Sequence, residues 1–134
     1  MALPVTLQSY LLVAAGGAIG SVARFAMVQV LGAGQFDRAT LATMAVNLIG
    51  STLIGAIAAL TSDKMLQQFL IVGILGGFTT FSAFSGQAFR LLSEQRWGFA
   101  ALVIVGSVVL CLAGTWLGHS LAMRYAPAAP AVED

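Results

Sequence analysis

Charge is what this sequence lacks most. Only 8% of its 134 residues are Asp, Glu, Lys or Arg, against 59% hydrophobic. A soluble domain carries roughly 25% charged residues because its surface must be wetted, so a soluble globular fold is excluded and no appended soluble domain is expected. Six basic residues against five acidic ones leave a net charge of +1, too little to attract nucleic acid. Cysteine is nearly absent too. The single Cys111 lies in an apolar run, which rules out a disulfide framework and a cysteine-based metal site. No Lys or Arg precedes the first hydrophobic stretch, which is also too long for the core of a signal peptide, so no cleavable leader is expected. The stretch reads as a first membrane span.

Catalytic groups are missing as well. The five carboxylates are Asp37, Asp63, Glu94, Glu133 and Asp134, all between apolar segments or in the tail. The only histidine, His119, is one turn from the end of the last segment and reads as interfacial. Without a nucleophile–base pair an enzyme is not expected. A proton-coupled antiporter of this size, the first alternative, needs a carboxylate within the membrane.

What is present is organised by the few charges. They divide the chain into apolar segments at about 7–31, 39–60, 66–92 and 97–124. Each is about 20 residues or longer, enough to cross a hydrocarbon core ~30 Å thick at a rise of about 1.5 Å per residue. The expected architecture is an all-α integral membrane protein with four transmembrane helices, comprising residues 1–125, and a disordered Pro/Ala-rich tail over 126–134. Trp97 and Tyr125 bracket the last span as interfacial anchors. Short loops force successive helices to alternate in direction and put both termini on one side. Lys64 and Arg124 fall on that side, with Arg38, Arg90 and Arg96 on the other. Orientation follows the Lys/Arg imbalance, which is close to nil, so insertion both ways up and an antiparallel dimer are open to this chain.

The third span holds the informative stretch, Gly76-Gly77-Phe78-Thr79-Thr80-Phe81-Ser82-Ala83-Phe84-Ser85. Paired glycines followed by paired β-branched threonines continue a helix poorly. A break at mid-membrane survives only when buried in protein or lining a polar cavity; a simple kink is the other reading. Phe81 and Phe84 share a helix face, with Ser82 and Ser85 beside them. The rings either pack or turn electropositive edges toward an anion. Thr43, Asn47 and Ser51 recur every four residues in the second span, as do Ser107, Cys111 and Thr115 in the fourth. Such stripes are either donors along an anion path or hydrogen-bonding glue between helices. If they are only glue, the chain is a non-transporting assembly subunit, the second alternative. Arg24 either snorkels to an interface or draws anions to a pore mouth. Gly16, Gly17 and Gly20 form a small-residue packing face in the first span.

Three motifs in order, Gly17-Ala18-Ile19-Gly20-Ser21-Val22-Ala23-Arg24-Phe25, Asn47-Leu48-Ile49-Gly50 and the stretch 76–85, make the chain resemble the Fluc family of microbial fluoride channels from residue 7 to about 124. The resemblance implies a dual-topology antiparallel homodimer in the bacterial plasma (inner) membrane. It implies passive export of fluoride, which enters acidified cells as neutral HF and is trapped as the anion. It implies Phe81, Phe84 and Asn47 on the fluoride pathway, a polar track of Thr43, Ser82, Ser85 and Ser107, and Arg24 at the vestibule. It further implies a structural Na⁺ at the dimer centre, held by main-chain carbonyls of Gly76 and Thr79. Two positions depart from the family pattern: Gln87 stands where some members have glutamate, and Cys111 replaces a hydroxyl residue.

Overall fold

The computed structural model describes residues 6–125; the tail expected over 126–134 lies outside the described residues. Four stretches are long and apolar enough to cross a membrane: Leu7–Gly32, Phe36–Leu60, Lys64–Ser93 and Trp97–Tyr125. The first is α1 (Leu7–Gly32), the second α2 (Phe36–Leu60) and the last α6 (Trp97–Tyr125). The third span is a composite. It begins with α3 (Lys64–Gln67), widens into a π-helical segment (Gln68–Leu75), tightens again in α4 (Gly76–Phe78), breaks, and resumes as α5 (Phe81–Ser93).

The charges that mark segment ends in the sequence also terminate helices. Asp63 accepts a hydrogen bond from the Leu66 amide at 2.9 Å, capping α3. Asp37 lies in the first turn of α2, where a carboxylate complements the positive end of the helix dipole. That helix therefore starts at Phe36 rather than at the expected residue 39. Arg96, in the loop before α6, forks onto the Asp37 carboxylate with two bonds of 2.7 Å, and Arg90 near the end of α5 stacks 3.9 Å from the Phe36 ring centroid. Together they tie the far end of α5 and the start of α6 to the start of α2.

Two tight helix pairs make the bundle. α2 packs along α6, and α1 packs along the π-segment and α4. Close approach is what glycine supplies here. A Cβ on Gly20 would collide with the carbonyl oxygen of Ile74, and one on Gly118 with the carbonyl oxygen of Thr52. The buried core lies where α5 meets α6, around Phe84, Ala88, Leu91, Ala100 and Val103. Elsewhere apolar side chains face outward, including Phe25, Leu112 and Trp116. In lipid such a surface carries no hydrophobic penalty.

Candidate functional site

The third span breaks as expected, but at the threonines and not at the glycines. Gly76 keeps right-handed helical angles (φ −63°, ψ −36°), whereas Thr79 (φ −82°, ψ 155°) and Thr80 (φ −149°, ψ 117°) are extended. Branching at Cβ disfavours helix and favours extended backbone, and two such residues in succession outweigh the helical neighbours on either side. The π-segment just before the break has no counterpart in the sequence reading. Widened turns of this kind recur near functional sites, and this one faces the glycines of α1.

A break at bilayer depth leaves backbone groups that must find partners. Side chains supply them. Asn47 of α2 reads Thr80 as a peptide would: its Nδ2 donates to the Thr80 carbonyl at 3.0 Å and its Oδ1 accepts from the Thr80 amide at 2.8 Å. Thr80 in turn caps α5, its Oγ1 accepting from the Ala83 amide at 3.2 Å. Thr79 Oγ1 donates back to the Leu75 carbonyl at 2.9 Å. Arg24 Nε donates to the Gly77 carbonyl at 3.1 Å, with Ser21 Oγ at 3.5 Å from the same oxygen. The break is therefore stitched to α2 on one side and to α1 on the other.

Beside it is a cavity of about 240 Å³, bounded by Asn47 and Ser51 of α2, the two threonines of the break, Phe81 and Phe84 of α5, and Ser107 and Cys111 of α6. The α2 and α6 polar stripes thus converge on the broken helix. Ser107 is only 6% exposed, and its hydroxyl has no partner among the described residues. The Phe81 and Phe84 ring centroids are 5.3 Å apart with planes inclined at 51°. The two rings differ in setting: Phe84 is buried, while Phe81 is 77% exposed on the single chain. The lining offers hydroxyl, thiol and amide groups and aromatic edges, and no ionised side chain.

Of the residues singled out from sequence, Asn47, Phe81, Phe84 and Ser107 meet at this cavity. Thr43 lies one turn before Asn47, buried, donating to the Ala39 carbonyl at 3.0 Å and accepting from Gln87 Nε2 at 3.0 Å. Ser82 and Ser85 lie on the exposed side of α5, Ser85 Oγ donating to the Ser82 carbonyl at 3.0 Å. Arg24 sits at the Gly77 carbonyl and not in the cavity. Two roles were missed in the sequence. Thr80 is both clamp and cap, and Gln87 bridges α5 to Thr43 while its own Oε1 is buried without a partner. The α2 stripe showed a donor at Asn47 but not that Thr80, 33 residues away, was its partner, and a glutamine three residues after Phe84 gave no sign of the second role.

The expectation of a metal-binding, sodium-holding chain is corrected. No group of three or more His, Cys, Asp or Glu among the described residues could hold a metal ion. Of the two main-chain carbonyls expected to face that ion, the Thr79 carbonyl belongs to the extended break, while Gly76 is helical.

Comparison with known proteins agrees with this geometry. The chain is 45% identical over 121 residues to the fluoride-specific ion channel FluC of Opitutus terrae, covering 85% of this chain and 92% of that one. It is 42% identical over 118 residues to the FluC protein of Paramagnetospirillum magneticum, covering 83% and 92%. To the FluC protein of Geobacter sulfurreducens it is 44% identical over 121 residues, covering 84% and 94%. With bacterial relatives and four membrane-length apolar helices, this is a multi-pass protein of the bacterial inner membrane. The family model described as CrcB-like protein, Camphor Resistance (CrcB), matches residues 11–119, a span that contains the break and every residue around the cavity, and the chain belongs to that family.

Proposed function

We propose that this chain is a fluoride-specific ion channel that lets cytoplasmic fluoride leave the cell passively and so relieves its toxicity. The observation that carries the reading is the neutral, largely apolar cavity beside the broken helix, with the Asn47 amide and the Ser107 hydroxyl at its wall. A small anion crossing lipid must exchange its water for something. Hydroxyls, an amide and ring edges replace that water without trapping the ion, which a fixed lysine or arginine would do. The FluC relatives supply the identity of the anion.

In this reading Arg24 draws fluoride toward the mouth. Asn47 keeps one Nδ2 proton free of Thr80 and offers it to the ion, since an amide nitrogen has two donors. Ser107 supplies a hydroxyl that no group among the described residues claims. Phe84 walls the buried side and Phe81 the mouth, and the polar track continues through Thr43 on α2 and Ser82 and Ser85 on α5. The working unit is an antiparallel homodimer, in which a second copy covers the exposed Phe81 ring and the outward apolar faces. The near balance of Lys and Arg between the two ends supports insertion in both orientations.

The test is ion efflux from liposomes containing the purified protein. Fluoride leaves and chloride stays; equal loss of both, or of neither, defeats the proposal. Phe81→Ile lowers fluoride flux at least about tenfold by removing an edge that replaces an ion-directed hydrogen bond. Each copy of the variant still folds, because the Phe81 ring is 77% exposed on the single chain.

A further inference from the structure

Cys111 is the only cysteine in the chain. It stands half-buried on α6, one turn after Ser107, and both face the cavity shared with Asn47, Phe81 and Phe84. Ser107 is 6% exposed, and its hydroxyl finds no partner among the described residues. An unclaimed buried donor beside a cavity calls for a partner, and an ion or a water would supply one. Among the groups that line the cavity, the thiol is by far the strongest nucleophile.

We propose that Cys111 is a covalent modification site through which small, neutral, thiol-reactive electrophiles close the ion pathway. The proposal rests on the fluoride-channel reading. With a reagent carrying an activated S–S bond, the step is a thiol–disulfide exchange. The Cys111 sulfur loses its proton to water and attacks the reagent's sulfenyl sulfur; a new S–S bond forms as the old one breaks and its other half leaves as an anion. Two changes follow in the cavity. The S–H donor is gone, and an apolar group projects beside the Phe81 and Phe84 rings. A cavity of about 240 Å³ admits such a reagent, and the added group takes up space beside the two rings and the Ser107 hydroxyl.

The experiment uses the full-length protein in liposomes with methyl methanethiosulfonate, which is small and uncharged and leaves a methylthio group on sulfur, releasing methanesulfinate. Expected are a single methylthio adduct on Cys111 by mass spectrometry, a fall in fluoride efflux of about tenfold or more, as loss of one hydrogen bond to an ion implies, and recovery on adding dithiothreitol. Cys111→Ser, whatever its own flux, passes fluoride equally before and after treatment. An adduct on Cys111 with unchanged flux puts the sulfur off the pathway and overturns the proposal. So does absence of the adduct in membranes when the unfolded protein reacts. A protein that passes no fluoride before treatment fails earlier, at the functional reading, and the two failures are thereby told apart.

Discussion

Asn47 performs at the scale of one residue what a strand partner does in a sheet, pairing with both polar groups of the Thr80 backbone. The consequence is testable. Asn47→Leu leaves the Thr80 amide and carbonyl unpaired at bilayer depth, each costing about 1–3 kcal/mol. Its unfolding midpoint in detergent should fall well below that of the parent, together with loss of flux. Asn47→Asp keeps the acceptor for the Thr80 amide and loses the donor to its carbonyl. It also places a negative charge where an anion passes, so flux should fall more steeply than thermal stability. Equal losses in both measurements would show that Asn47 only holds the break. The donor itself was legible in the sequence, because Asn47 sits on a stripe with Thr43 and Ser51. Its pairing was not: Thr80 lies 33 residues away, and nothing in either neighbourhood specifies the other.

At the scale of elements, the third span is assembled from four pieces because its neighbours take over the hydrogen bonds that regular helix would have made. Sequence reasoning located a break and attributed it jointly to glycines and threonines. Gly77 serves close packing instead, since a Cβ there would collide with the Gly17 carbonyl oxygen. Gly16, Gly17 and Gly20 read alike in sequence, yet their surroundings differ. A Cβ on Gly20 meets the backbone of Ile74 and Phe78, while one on Gly17 meets nothing within 4 Å. Gly20→Ala should therefore push α1 off the π-segment, at about 1–3 kcal/mol for overpacking. Gly17→Ala should hold or raise the unfolding midpoint, since alanine is favoured over glycine in a helix by up to about 1 kcal/mol. Thermal unfolding of both variants in one detergent separates them. If Gly17→Ala falls as far as Gly20→Ala, a second surface must be packing against α1.

For the whole molecule, the prediction concerns orientation. With Lys64 and Arg124 on one side and Arg38, Arg90 and Arg96 on the other, a terminal cysteine tag added to Cys111→Ser should label from both sides of the membrane in comparable amounts. Labelling from one side only would remove the antiparallel dimer. The sequence by itself determined that this chain lives in lipid, with four spans whose third is interrupted. Length, apolarity and the rarity of charge are properties of composition and order, and lipid tolerates few other arrangements. It also placed the donors on stripes, because helical periodicity is local. Only the tertiary structure decided which donors remain free. Thr43 and Ser85 donate within their own helices, but Arg24 is engaged by the Gly77 carbonyl 53 residues away, and Ser107 is left without a partner among the described residues. Hydrogen bonds between distant segments are settled by how helices pack, and that packing turned a list of polar side chains into one cavity.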